Sequence, residues 1–327
     1  MDYTVIVTGI GAIIGQGIAR SLRNVDENVK VIGVDLKPNN LKDLFCDVFC
    51  RKPQCRQESQ EYTKFWRNLI IKEKVDLVIP GIDIDLEYFH DHRSDFKDIK
   101  RVFCLNQPEL VDISRDKWLL GQKLRRNGLP FIPGMISGDW EECISELGPP
   151  PLLMKPRHGN ASRGIVKIND KDDFIYWRKK AGNNFMIQKI VGKAEEEYTV
   201  GVFGYGDGTA GEPIILHRTL SPSGSTQNAV VINDTEIANM AKILNNIFNP
   251  LGPTNYQFRR DEDVLFLLEI NPRISSSTSI RASFGYNEAA MCLDFFLKKQ
   301  RPVSPVIRYG RASRYTEDFI VYDSNNF

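Results

Sequence analysis

A chain of 327 residues with 42% hydrophobic content is longer than one ordinary domain and apolar enough to fill packed cores, so two or three domains are expected. Its 43 Lys and Arg against 42 Asp and Glu leave a formal charge of +1, which excludes the broad basic surface that holds nucleic acid by counterion release. No apolar run approaches the roughly 18 residues of a membrane span, and MDYTVIVTGIG enters a strand with no charged leader, so neither nucleic acid nor a membrane is an expected partner and cytoplasmic residence is expected.

The first hundred residues alternate strands and helices. YTVIVTG (3–9) is a β-branched run closed by glycine, 16–24 reads as helix, and VKVIGVD (29–35) is a second apolar run. A helix over 62–74 leads into VDLVIPG (75–81), and a helix after Asp85 leads into KRVFCLN (100–106). Strands apolar on both faces, separated by helices, predict a parallel sheet covered on both sides and hence a Rossmann-like domain. Gly9, Gly11, Gly15 and Gly17 after the first strand, with Asp35 ending the second, raise the alternative of an NAD(P)-dependent oxidoreductase. Their spacing is GxGxxxGxG, not GxGxxG, and glycines there serve equally to let strand and helix pack closely. Six cysteines are too few and scattered for a disulfide framework. Cys46, Cys50 and Cys55 have spacings unlike zinc pairs and no histidine beside them, so ordinary half-buried thiols are expected. In GIDIDLE (81–87), Asp83, Asp85 and Glu87 can recognise an amine at the sheet's carboxyl edge or start the next helix, and the second is the expectation.

Near residue 110 the alternation stops. Ser114 is expected to cap a helix running to Asn127, with Lys117 in its first turn, where a cation opposes the helix dipole; alone, that lysine reads as a solvated surface residue. PLLMKPRHGNASRGIVKI (151–168) joins two apolar segments by a Gly, Ser, Asn and Arg loop. It is either a plain hairpin or a loop whose N–H groups close over phosphates while Lys155 supplies a fixed charge. MIQKIVGKAEEEYTVGVF (186–203) follows as strand, turn, three acids and strand, with Glu197 the acid best fixed in space.

VLFLLEIN (264–271) is a strand on which Glu269 and Asn271, two residues apart, share a face. If Asp261, Glu262 and Asp263 form a three-residue loop from NYQFRR (255–260), Arg260 pairs with Val264 and Gln257 lies opposite Leu267 on that same face; a two-residue loop would turn Gln257 away. Three oxygen donors suit a hard cation such as Mg²⁺, and Arg273 is near enough to neutralise a phosphoryl group held there. A glutamate satisfied by backbone at a strand end is the plain alternative. Arg218, in HRTLSPSGS, is either exposed or an added charge at that pocket.

In this order the segments resemble the ATP-grasp superfamily, and within it the synthetase halves of the carbamoyl-phosphate synthase large subunit; NYQF…LLEINPRISSSTS carries the specific likeness. The resemblance covers essentially the whole chain. It implies an α/β architecture: a Rossmann-like pre-ATP-grasp domain over 1–113, then an ATP-grasp fold of two α+β subdomains, 114–190 with a lid loop and 191–327 with a metal site. By that likeness Gln257, Glu269 and Asn271 would hold one or two Mg²⁺, with Mn²⁺ as a substitute, and Arg273 would contact the transferred phosphate beside Ser275, Ser276 and Ser277. Lys117 and Lys155 would touch ATP phosphates, 157–164 would be the lid, Gln188, Lys189 and Ile190 the hinge strand beside adenine, and Glu197 the ribose-binding acid. Gln188 stands where the family often has Glu, Gln257 is neutral where many amino-acid ligases have a carboxylate, and a lone unit with no glutaminase departs from a complete carbamoyl-phosphate synthase. The activity implied is an ATP-dependent carboxylate-amine ligase, releasing ADP and phosphate through an acyl phosphate and acting on a small-molecule carboxylate and an amine. An exposed apolar face on the first domain would add a homodimer.

Overall fold

The computed structural model describes residues 2–37, 42–99, 103–159 and 164–320. Its N-terminal part runs β1 (Tyr3–Thr8), α1 (Ile13–Leu22), β2 (Val29–Asp35), α2 (Lys42–Phe45), β3 (Val48–Arg51), α3 (Gln60–Lys72), β4 (Leu77–Ile79) and α4 (Asp83–Asp91). The four strands form a parallel sheet in the order β3-β2-β1-β4. Val5, Ile6, Val31, Ile32, Leu77 and Val78 are wholly buried because helices cover both faces. One face packs against Tyr62, Trp66 and Phe89; the other shares a core with Phe203, Leu216 and Tyr286 from the far half of the chain. The short strand β3, carrying Cys50, was not among the expected elements. Of KRVFCLN, residues 100–102 lie outside the described residues, and Phe103 bridges in parallel to Val78.

The helix expected from a Ser114 cap to Asn127 is found as α6 (Lys117–Arg126), capped by Asp116 and not by Ser114, and a separate helix that was not expected, α5 (Pro108–Arg115), precedes it. Asp116 sits between them in extended backbone and its carboxylate accepts from the N–H groups of Trp118 and Leu119. The same carboxylate takes the Arg157 guanidinium at 2.7 to 3.0 Å, an anchor that Ser114 could not provide. Ser114 lies in the last turn of α5 and donates to the Val111 carbonyl.

Next come β5 (Gly134–Met135), α7 (Trp140–Leu147), β6 (Leu152–Lys155), β7 (Val166–Ile168), α8 (Lys171–Ala181) and β8 (Met186–Lys189), whose strands pair antiparallel in the order β5-β8-β6-β7. Cys143, Leu147, Phe174 and Ile187 fill the core between this sheet and its two helices.

The remaining elements are β9 (Glu197–Tyr205), β10 (Ile214–Leu220), β11 (Thr226–Ile232), α9 (Thr235–Phe248), β12 (Leu251–Asp261), β13 (Val264–Asn271), α10 (Thr278–Ser283), α11 (Glu288–Cys292) and β14 (Arg311–Ser313). The strands form an antiparallel sheet in the order β13-β12-β9-β10-β11-β14. Alternation along β9 and β12 splits it cleanly. Tyr198, Val200, Val202, Tyr256 and Phe258 pack under α9, while Glu197, Thr199, Asn255, Gln257 and Arg259 take the opposite face. On that face Arg281 lies over Gly201, where a Cβ would stand 2.7 Å from its guanidinium; the arginine donates to Thr199 and Asn255 and pairs with Glu288 at 3.0 Å. An α/β chain with one parallel and two antiparallel sheets results.

Candidate active site

The small antiparallel sheet and the polar face of the large one meet at a cavity. Lys117 enters from the start of α6, Lys155 from the end of β6, Gln188, Lys189 and Ile190 from β8 and its exit, and Glu197, Gln257, Arg259 and Glu269 from the large sheet. Ile132, Leu153, Ile165 and Leu268 give it apolar walls. A cavity with apolar walls and a few convergent charged groups is the form of a small-molecule site.

The expected three-residue loop is not there. Glu262 and Asp263 alone close the turn, with Asp261 paired to Val264 and Glu262 at φ +51, a left-handed geometry suited to a tight hairpin. That register by itself would turn Gln257 away. A β-bulge in β13 adds one residue, Leu268, and restores the face: Gln257 stands opposite Glu269, not Leu267, and Asn255 opposite Asn271.

Glu269 makes no hydrogen bond among the described residues, and burial raises its carboxyl above the usual range, partly offset by Lys117, Arg273 and Lys155. Burial pulls the Lys155 ammonium down to about 8, with Lys117 adding repulsion. Lys117 is also lowered by burial and donates to the Gly159 carbonyl at 2.5 Å, so it is a pocket residue and not the solvated surface cation its position alone suggested. Gln188 is buried and its amide donates to the Ile132 carbonyl, while the Lys189 N–H bonds the Pro133 carbonyl, fixing the strand's exit. Of the expected lid, 160–163 lies outside the described residues.

Glu197 is buried between two arginines, accepting from Arg218 at 2.8 Å and Arg259 at 2.9 Å. The three face one another in register across β12, β9 and β10. Arg218 is therefore not the exposed arginine its sequence also allowed; burial pulls its guanidinium down, Glu197 opposes this, and its Nε is a buried donor with no partner. Arg218, Asn271 and Arg273 do not line the cavity. Asn271 accepts from Arg273 at 3.1 Å, and Arg273 is gripped by both oxygens of Asp83, at 2.5 and 3.0 Å. Ser277 bonds Thr226, which also accepts from Arg218, and Ser275 accepts from the Ser277 N–H.

Two partners were missed. Arg259 had a signal, being two residues from Gln257 on one strand. Asp83 had none, since 190 residues separate it from Arg273. Asp83 and Asp85 do begin α4, as expected, and each also holds a cation: Asp85 takes Lys52 at 2.7 Å in full burial. The glycines after β1 have packing reasons. A Cβ on Gly15 would stand 2.2 Å from the Gly9 carbonyl and one on Gly17 2.6 Å from Thr278, while Asp35 accepts from the Gly11 N–H. Among the described residues no three or more His, Cys, Asp or Glu side chains cluster as metal ligands, and no helix is long and apolar enough to cross a membrane.

A family model described as ATP-grasp in the biosynthetic pathway with Ter operon matches residues 183–318. A probable alpha-L-glutamate ligase of Parasynechococcus marenigrum (strain WH8102) is 26% identical over 154 residues, 45% of this chain and 33% of that protein, so the match spans a third of the relative's length. Among solved structures, the biotin carboxylase domain of Hydrogenobacter thermophilus 2-oxoglutarate carboxylase, a dimer in complex with MgADP, ADP and bicarbonate, matches with a TM-score of 0.72 at 15% identity over 95% of this chain and 73% of that one. An L-amino acid ligase from Bacillus licheniformis matches with a TM-score of 0.67 at 15% identity over 93% and 75%. At such identities these two likenesses establish the fold.

Proposed function

We propose that the chain is an ATP-grasp protein and acts as an ATP-dependent carboxylate-amine ligase that forms an acyl phosphate and then an amide or peptide-type bond, releasing ADP and phosphate. The observation that carries this is the convergence of Lys117 from α6, Lys155 from the small sheet, and Gln257 and Glu269 from the large one, on a pocket whose other wall is the strand exit at Gln188, Lys189 and Ile190. The names of two similar proteins, a probable alpha-L-glutamate ligase and an L-amino acid ligase, support the reaction class. The narrower likeness to carbamoyl-phosphate synthase rests on motif alone.

In this reading the adenine lies against Gln188 to Ile190, and Lys117 and Lys155 hold the phosphate tail. Glu197 would reach the ribose only by sharing a carboxylate already held by two arginines, so its first role is to fix Arg218 and Arg259. Glu269 fits a Mg²⁺ ligand: a half-buried carboxylate without a hydrogen-bond partner, raised by burial, is relieved by a cation beside it. Gln257 and Asn271 would add neutral oxygens, and the ion would supply charge neutralisation on the transferring phosphoryl group.

The acid substrate is already an anion and needs no general base to attack phosphorus. Arg273 and Arg218 stabilise the negative charge that moves to the acyl phosphate; Asp83 holds Arg273 in place. The amine then attacks the acyl carbon and phosphate departs. Water would compete at that stage, and its exclusion falls to the loop after Arg157, which the Asp116 ion pair anchors. The units 1–113, 114–190 and 191–327, a homodimer like the carboxylase domain's, and cytoplasmic residence are parts of the same proposal.

The test is ADP release with Mg²⁺ over a panel of small acids paired with amines. Release that depends on both an acid and an amine supports the ligase. Nucleotide binding without turnover for any pair would favour a regulatory module instead.

A further inference from the structure

A second, larger cleft opens between α1, the turn joining β10 to β11, and the segment that follows β14. Its walls carry Gln16 and Arg20 from α1, Ser221 and Ser225 from the turn, and Arg311 and Arg314 from the last segment. Glu317 and Asp318 also line it, so it holds three guanidinium groups and two carboxylates.

The arginines are not neutralised by these acids. Arg314 is half-buried and donates to the Thr226 and Ser276 carbonyls, and among the described residues it has no carboxylate partner. Arg20 lies 5.2 Å over the Phe45 ring, likewise with no ion pair among the described residues. Burial pulls the Arg314 guanidinium below its usual range, and the like charges of Arg218 and Arg20 push it the same way. Two guanidinium groups near each other with no carboxylate bonded to either cost free energy that an incoming anion would return.

The cleft adjoins the transfer site. Arg314 reaches the backbone of Thr226 and Ser276, and the Thr226 hydroxyl joins Arg218 to Ser277. Arg218 is buried and does not itself line the cleft; Ser225 and Gln227, either side of the Thr226 that binds it, do, and Arg314 and Arg20 stand on the cleft's wall.

We infer that this cleft seats the acid substrate and selects one bearing a second anionic group: the second group is bound by Arg20 and Arg314, and the reacting carboxylate lies toward the turn at Ser225. This rests on the ligase reading for the fate of the bound acid, but not for its binding. Two anionic ends set apart on a short chain discriminate against a monocarboxylate because the latter leaves the outer arginines unpaired.

The experiment titrates the full chain, saturated with MgADP, with glutarate, O-phosphoserine and butyrate by calorimetry, beside the Arg20→Gln variant. Glutarate or O-phosphoserine is expected to bind at least about tenfold more tightly than butyrate, and Arg20→Gln to erase most of that margin, as loss of a charge-assisted contact does. A margin for glutarate names a second carboxylate, and a margin confined to O-phosphoserine names a phosphate. ADP binding in the same series reports that the variant is folded. Equal binding of all three, no binding of any, or a margin untouched by Arg20→Gln overturns the inference. A chain that keeps the margin yet releases no ADP with any acid and amine refutes the ligase and leaves this site standing.

Discussion

Gln257 stands directly opposite Glu269 across β12 and β13, although the two-residue turn joining those strands would by itself aim them at opposite faces; the extra residue Leu268 in β13 makes the difference. The pairing puts a neutral amide and a burial-strained carboxylate at one mouth. Glu269→Ala is therefore expected to lower Mg²⁺-dependent ADP release by at least about a hundredfold, with the circular dichroism spectrum unchanged. Turnover within a few fold of the parent would remove Glu269 from the metal assignment.

The same carboxylate predicts a pH dependence in the metal-free chain. Its folded pKa lies above the unfolded value of 4.5, so between the two the folded state binds more protons and stability falls as pH rises. Glu269→Gln should accordingly melt higher than the parent at neutral pH, with the gap closing below about 4.5. Saturating Mg²⁺ should raise the melting temperature of the parent and leave the variant nearly unmoved.

Lys155 makes nucleotide affinity sensitive to alkali. Its ammonium is lost from the free chain above about 8, so from there upward ADP binding must take up a proton, and the dissociation constant should rise by up to about tenfold per pH unit. Lys155→Arg, which stays charged, should flatten that rise, whereas Lys155→Met should weaken ADP about tenfold at pH 7. Isothermal titration across pH 7 to 10 reads both.

Asp83, at the start of α4, grips Arg273 from 190 residues away in the chain. Asp83→Asn keeps the side chain's size but loses the two-oxygen grip, and is expected to lower kcat about tenfold while the KM for ATP moves less than twofold. A fall in melting temperature with kcat intact would reduce the pair to a structural tie.

Lys52 and Asp85 form an ion pair sealed from solvent, with Tyr62 near the same carboxylate at 3.4 Å. Lys52→Met strands a buried anion and should cost about 3–5 kcal/mol in urea unfolding, whereas the double change with Asp85→Leu should recover most of it.

Much of the fold was legible because its periodicities are local. Strand 29–35 and strand 264–271 end where the alternation of apolar residues says they should, and Glu269 and Asn271 share a face by the period of two alone. The start of the helix expected from Ser114 was misread because Ser114 and Asp116 are both good caps, and what selects the aspartate is Arg157, 41 residues on. The β12–β13 register was misread because a bulge costs little in sequence signal: nothing about Leu268 as a residue marks it as the extra one.

By itself, then, the order of residues determined the alternation of strands and helices, the residue types that share the Glu269 and Asn271 face, and the absence of a broad basic surface, since each depends on spacing within one element or on composition. Tertiary structure alone decided the partners of the charges. Asp83 meets Arg273, Glu197 divides itself between Arg218 and Arg259, and Arg20 comes to share a cleft with Arg314, because long-range packing brings together groups whose separation along the chain carries no trace of the contact. Burial, which lowers Lys155 and raises Glu269, is likewise a property of the assembled sheets and not of any one segment.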